Sequence, residues 1–476
     1  MQKKIYLIIA ATLMLLVTSC KKDFEAINTN PNAPISVSPE LLLRHIIYNF
    51  GEEMSYEGFV AGNLLGQYFT MIDFNLFDRH SLSEPQVGGN PWPIFYTNLR
   101  DNEIILEQAQ GNAAFAVYEG PALILKAYLA AGLTDIYGDV PYSEAFRGKA
   151  GNISPKYDAQ QDIYTESDGI LANLDRGIAA IEDYSGAQTL QGDILFNGNL
   201  DSWITFANSL KIKALMRISG QVNVGMELST LYSAGDWINS NAQNASFDFT
   251  DGQPNNFRMA TLRSGDFNLF ILSETMEEIL KELHDPRLKV LFRPYGNDST
   301  GTSYAGLLNG PDASATSISV ADYSLTGTIF REETGKLDAN FLTAWETHFL
   351  LAEAAQRGLI AGSAQMHYET AVGLAFEYWH TEMPASYLST DSAAFGSFGQ
   401  DPLEQIITQK WIANIINGYE GWIEFRRTGF PQLKAISASL NNGRIPVRMP
   451  YPTDEAALNA SNYNAVSVDV PVWWDN

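Results

Sequence analysis

The chain has 476 residues, 45% apolar and 12% aromatic, ample material for a large core, and length alone allows two or three domains. Its 55 acidic against 30 basic residues leave a net charge of −25, and a surface this acidic repels a phosphate backbone and anionic lipid, which argues against nucleic acid as a partner. A single cysteine excludes a disulfide framework, so packing must hold the fold together.

In chain order, Lys3 and Lys4 precede an apolar run from Ile5 to Val17 that ends in Val17-Thr18-Ser19-Cys20. A positive start and an apolar run shorter than the ~20 residues of a membrane span read as a signal peptide over 1–19. Cleavage before Cys20 places its thiol at the new N-terminus, where a bacterial lipoprotein is acylated; several chains are needed because one holds only marginally. Loss of Lys3 and Lys4 deepens the charge to −27. Residues 20–38, with Asn28-Thr29-Asn30-Pro31-Asn32-Ala33-Pro34, read as a lipidated tether. No later segment has the uninterrupted apolar length of a membrane span, so the expectation is a lipid-anchored body over 39–476.

That body begins with a helix. Ser38 is a natural N-cap, Pro39 suits the first helical position, and Leu42, Leu43, Ile46, Ile47 and Phe50 share one face. Helical periodicity recurs over 92–110, 113–134, 160–182, 202–219, 273–283, 343–357, 364–381 and 402–417. Asp401-Pro402-Leu403-Glu404 carries a capping acid, proline at N1 and an acid at N3. Trp345–Arg357 and Ala364–Trp379 flank a turn containing Gly358 and Gly362, which predicts an antiparallel helical hairpin. No fixed repeat period is visible. Gly58, Gly62 and Gly66 either let two helices approach closely or loosen their segment. Three stretches, 70–91, 240–270 and 295–335, break the pattern, and loops this long in a compact domain are usually functional or mobile.

Seven motifs in order then resemble one family. They are Cys20-Lys-Lys-Asp-Phe with Asn28-Thr-Asn-Pro31; Asp135-Ile-Tyr-Gly-Asp139-Val-Pro-Tyr142-Ser-Glu-Ala; Trp203-Ile-Thr-Phe-Ala-Asn-Ser-Leu210-Lys-Ile-Lys; His284-Asp-Pro-Arg-Leu288; Phe349-Leu-Leu-Ala-Glu-Ala354; Gln409-Lys-Trp411 with Glu420-Gly-Trp422-Ile-Glu-Phe-Arg-Arg427-Thr-Gly429; and Val472-Trp-Trp474-Asp. Together they resemble the SusD/RagB outer-membrane lipoproteins over essentially the whole chain. The resemblance implies a mainly α, SusD-like fold with four helix pairs stacked like tetratricopeptide repeats, long irregular ligand-facing loops and little β structure. It also implies a SusC-like, TonB-dependent outer-membrane transporter as partner, with the lipoprotein as its lid. Lys21–Glu25 is similar to the family's surface-export signal. Oligosaccharides are the typical cargo and peptides serve some members.

Most motif residues read physically as scaffold. Tyr137-Gly138-Asp139-Val140-Pro141 is a turn, and Trp203, Phe206, Leu210 and Ala214 form one helical stripe, as do Trp411 and Ile415. One of Arg426 and Arg427 is expected to tie a buried turn to Glu420 or Glu424. Catalysis has no support in the sequence. With 55 acids a glycosidase pair cannot be picked by spacing, and Gly301-Thr302-Ser303-Tyr304-Ala305-Gly306 misses a nucleophile elbow by one residue and lacks its strand and helix. His45, His80, His284, His348, His367 and His380 include no zinc spacing. A structural Ca²⁺ on loop oxygens has no EF-hand pattern behind it, and no cofactor is expected.

Binding sugar needs aromatic faces for the pyranose CH groups and polar groups for its hydroxyls. Phe74, Phe77, Tyr304 and Tyr323 are the stacking candidates, with Asn75, Asp78 and Arg79 as polar partners; Trp92 instead opens a core helix. The expectation is a non-enzymatic surface lipoprotein that captures oligosaccharide for a SusC-like transporter. The alternatives are a RagB-like peptide binder and a repeat-like envelope scaffold without a nutrient ligand.

Overall fold

A computed structural model describes residues 37–82, 88–296, 298, 300–312, 314, 317–390 and 392–475. The signal peptide, Cys20 and nearly all of the tether lie outside the described residues. About half of the chain is helical and about 6% is strand, so the expected mainly α class holds.

Helix α1 spans Pro39–Glu57, with Ser38 extended at the cap position but making no side-chain cap bond. Its Leu42, Leu43, Ile46, Ile47 and Phe50 are buried as the periodicity requires. The chain then winds into a π turn, Gly58–Gly62. A Cβ at Gly58 would stand 2.6 Å from the Gly418 backbone nitrogen, and one at Gly62 would overlap the Gly418 carbonyl. The glycines thus permit close approach, though to a turn rather than to a second helix.

Strand β1 is Phe69–Met71, and α2 is Trp92–Ala109, opened by a half-buried Trp92. Helix α3 covers Glu119–Tyr137, starting six residues later than its periodicity suggests because 112–118 wind as successive turns. Gly138 ends it at φ +78°, as read from the turn motif. Strands β2 (Val140–Pro141) and β3 (Tyr157–Asp158) follow. The single helix expected over 160–182 is two, α4 (Gln160–Thr165) and α5 (Ile170–Glu182), split by a turn in which Gly169 N–H donates to Glu166 O.

Next come α6 (Leu200–Ile218) and a short α7 (Gly225–Ala234) that buries little beyond Leu228 and so left no periodic trace. β4 (Ala245–Asp248), β5 (Phe270–Leu272) and α8 (Glu274–Glu282) precede β6 (Asp338–Leu342). Then come α9 (Ala344–Gln356), α10 (Ala364–Tyr378), α11 (Pro402–Ala413), α12 (Glu420–Thr428) and a short exposed α13 (Thr453–Leu458). Asp401 caps α11 by accepting from Leu403 N at 2.9 Å. That helix stops at 413 because Ile416 and Gly418 turn to positive φ.

Helices pack in pairs, α1 on α2, α3 on α5, α9 on α10 and α11 on α12, layered through α2 on α3, α5 on α6 and α6 on α9. Among the described residues the named strands pair as antiparallel two-stranded ribbons, β1–β5 (Phe69 opposite Leu272), β2–β3, and β4–β6 (Asp248 opposite Asp338), with isolated bridges beside them. Buried apolar residues from Leu42 to Trp474 form one continuous cluster. The Trp203 stripe lies inside it, and Trp411 stacks on Tyr68 at 4.2 Å between centroids. Among the described residues no helix is long and apolar enough to cross a membrane.

Several motif residues meet in a buried ionic network. Arg217 on α6 donates to Asp135 at 3.0 Å, Glu420 at 2.7 Å and Glu424 at 2.6 Å. Arg427 donates to Glu424 at 2.7 Å, the expected link, and also to Glu353 on α9 at 2.5 Å. Asp135 accepts from Tyr164 and from Trp474 Nε1, at 2.7 and 2.8 Å. Arg426 lies between the rings of Trp422 and Trp474 and donates to Asp135 O. Burial opposes ionisation of Glu424, but Arg427, Lys410 and Arg217 hold its carboxyl well below the usual range. These motifs are scaffold because their charges are satisfied by one another.

Candidate functional site

The site is built where three loops are tied together. Beyond β1 the chain turns at 72–82, and Asp78 folds back into the interior. Its Oδ2 accepts from Thr70 Oγ1 at 2.6 Å, Gly310 N at 2.8 Å and Met71 N at 3.3 Å, while Oδ1 accepts from Asn309 Nδ2 at 2.7 Å. Burial raises its pKa against the pull of those four donors. Asn75 donates to Met71 O at 3.0 Å and to Pro311 O at 2.6 Å. The third loop joins through Ser437 N to Asn309 O, Ala438 N to Gly310 O and Leu440 N to Arg79 O. Arg79 closes the knot, with Nε on Ala438 O at 3.0 Å and Nη2 3.6 Å from Asp312 Oδ2.

On this frame stands Phe74. It is 53% exposed and lies outside the hydrophobic cluster. Its φ is +52°, in the left-handed region, with its N–H donated to Asp73 Oδ1 at 2.8 Å. A phenylalanine there costs on the order of 1–3 kcal/mol and persists only where its surroundings over-determine it. An exposed ring held by strained backbone on a pinned loop is a platform aimed at solvent.

The other sequence candidates divide. Asn75, Asp78 and Arg79 come together with Pro311 and Asp312 but serve to hold the loops. Phe77 is only 1% exposed, so it has no face to offer a sugar; its apolar ring belongs to the core under the loop. Tyr304, 7% exposed, is likewise packed in the hydrophobic cluster. Tyr323 is half-buried. Leu325 faces Ile271 and Met71 faces Phe270, so Tyr323 lies beyond one end of this ribbon and Phe74 beyond the other. The Phe292–Thr326 bridge sets Tyr295 on the segment facing Tyr323, and Tyr295 is exposed. Sequence reasoning missed Tyr295 and the exposed Leu440 of the third loop, because no local pattern shows which distant segments adjoin.

Two other places are less suited to a ligand. A recess of about 340 Å³ between α8 and α11 is walled by Tyr368, Gln405 and Gln409, whose polar groups are engaged with Ala393, Ser392 and Ala394, and Arg287 and Tyr387. A cavity of about 80 Å³ beside Lys213, Arg217 and Glu420 belongs to the ionic network. The one carboxylate lead toward catalysis is Asp248 opposite Asp338. Burial and then the Asp248 charge raise the Asp338 pKa to about 7. The two side chains hydrogen-bond each other, which leaves no room between them for a glycosidic bond; glycosidase pairs stand about 5–9.5 Å apart. Among the described residues no group of three or more His, Cys, Asp or Glu is placed to hold a metal ion.

Comparison with known proteins bears on this geometry. Residues 31–452 match the family model for SusD-like proteins, described as starch-binding and associating with the outer membrane. No curated protein matches the chain. Among solved structures, a chitin-binding protein is similar at 26% identity and a TM-score of 0.77, covering 92% of this chain and 100% of its own. A SusD homologue from Bacteroides fragilis (24% identity, TM-score 0.78, 92% and 99% covered) shares the fold. So does a chitin-binding SusD homologue from Flavobacterium johnsoniae (23%, 0.74, 92% and 98%).

Proposed function

The chain belongs to the SusD-like family of starch-binding proteins that associate with the outer membrane, and from that premise we propose that it is a lipid-anchored surface protein that captures oligosaccharide and delivers it to a SusC-like, TonB-dependent transporter. SusD-like proteins bind nutrients and are not enzymes. The observation that carries the glycan reading is Phe74. Its exposed ring offers an apolar face to pyranose CH groups, while the neighbouring exposed Asp73 can accept from sugar hydroxyls. Cys20 at the end of the signal motif supports the anchor, and the tether after it supports a hinged lid.

Calorimetry against starch and chitin oligomers, chosen because the family is starch-binding and two structural relatives bind chitin, tests the ligand. Binding that Phe74→Ala weakens supports the reading. Silence toward glycans with binding to peptides overturns it in favour of the peptide alternative, and shortened products would establish a hydrolase. Cys20→Ala is expected to abolish surface display in a whole-cell protease assay. Pull-down from detergent-solubilised outer membranes is expected to recover a large barrel with the wild-type chain; recovery of the chain alone counts against the partnership.

A further inference from the structure

The loops around the ribbon are nearly without cations. The sequence has no Lys or Arg over 45–78, 80–99 or 294–330. Arg79 is the one cation among these stretches, and it is held by Ala438 O and Asp312. The flanking cations are also engaged. Arg293 turns onto Thr326 O and Asn268 Oδ1, both at 2.8 Å, and Arg331 onto Leu262 O at 3.2 Å, with Glu332 at 3.8 Å. Lys281 pairs with Glu277, Lys434 with Glu274 and Glu278 at 2.7 and 2.6 Å, and Arg444 with Asp469 at 2.9 Å. His80 is buried, and burial lowers its pKa to about 4, so it adds no charge at neutral pH. Against these stand Asp73, beside Phe74, and Asp298 and Asp322 near the Tyr295–Tyr323 end, none in an ion pair among the described residues. Asp298 is stabilised as an anion by hydrogen bonds from Thr300, Ser303 and Thr302.

We propose that this surface takes uncharged saccharides and discriminates against uronates and sulfated glycans, with Asp312 as a specificity-determining residue. The proposal rests on the glycan-binding reading and narrows its ligand class. A carboxylate or sulfate brought to Phe74 meets Asp73 and finds the one nearby guanidinium already neutralised by Asp312. Sugar hydroxyls, by contrast, are donors that surplus carboxylates accept. Repulsion across a few ångströms of solvent amounts to about tenfold in affinity at low salt and is screened as salt rises.

The experiment takes a neutral oligosaccharide that binds and its C6-oxidised uronate counterpart, titrated calorimetrically at about 20 and about 300 mM salt. The uronate is expected to bind about tenfold more weakly at low salt, the gap narrowing at high salt. Asp312→Asn releases the Arg79 charge and is expected to tighten uronate binding several-fold while neutral binding stays within about twofold, which also reports that the loops remain folded. A uronate bound as tightly as the neutral sugar, or a gap insensitive to salt, overturns this inference and leaves the glycan reading standing. Absence of binding by any glycan overturns both.

Discussion

The ionic network around Arg217 and the loop knot around Asp78 use similar means to different ends. Both bury acids and satisfy them with hydrogen bonds drawn from segments hundreds of residues apart. In the network, acids and bases neutralise one another, so α3, α6, α9, α12 and the C-terminal segment are locked together. In the loop knot, a buried Asp78 without a cation partner is satisfied by neutral donors, and the order it creates holds an aromatic ring outside the core. Buried polar groups therefore do not by themselves mark a site. The difference lies in what they hold in place.

Substitutions can break that comparison, beginning with the network. Arg427→Ala strands Glu353 and Glu424 without their main partner and is expected to cost about 3–5 kcal/mol in urea unfolding. Glycan affinity should fall only as the fold fails. A loss below about 1 kcal/mol would mean that the network is not what locks α9 to α12. In the loop knot, Asp78→Ala leaves Asn309 and Gly310 donors unmatched and is expected to cost about 2–3 kcal/mol while also weakening ligand binding, because the platform loses its anchor. Stability loss with unchanged affinity would separate the knot from the site.

The Asp248–Asp338 pair sharpens the contrast through pH. The folded pKa of Asp338, about 7, lies above the ordinary value of 3.8, so the stabilising effect of its protonated form is complete below about pH 4 and is lost as pH rises through 7. Asp338→Asn is therefore expected to stabilise at pH 8 by on the order of 1–2 kcal/mol, discounted for partial exposure, and by little at pH 4. A benefit independent of pH would rule out the shared proton. The smallest expected effect is at Phe74. Phe74→Gly relieves the positive φ and is expected to leave stability unchanged or raise it by up to about 1 kcal/mol, while Phe74→Ala leaves the melting temperature nearly constant. Both should lower glycan affinity. If affinity survives in both variants, the ring is not the platform.

Much of the scaffold was readable because its signals are local. The α1 face, the Asp401 cap and the Trp203 stripe follow from residues within a few turns of each other, which the 3.6-residue period exposes. The split at Glu166–Gly169 and the short α7 escaped because a turn or an exposed helix leaves little apolar rhythm. Arg427 with Glu424 lay within reach of inspection, three residues apart; Arg427 with Glu353, across 74 residues, did not.

The site shows the same divide more sharply. Composition placed aromatics and acids in the loops at 70–91 and 295–335, and Phe74 and Phe77 were equivalent as letters three positions apart. Only tertiary contact turned one outward and the other inward, and only it joined Asp78 to Asn309 and brought 436–440 alongside. By itself the sequence determined the helical class, the family and the acidic, cation-poor character of the loops, since these depend on local period, motif order and residue identity. Which ring meets solvent depends on packing between segments far apart in the chain, which no local pattern encodes.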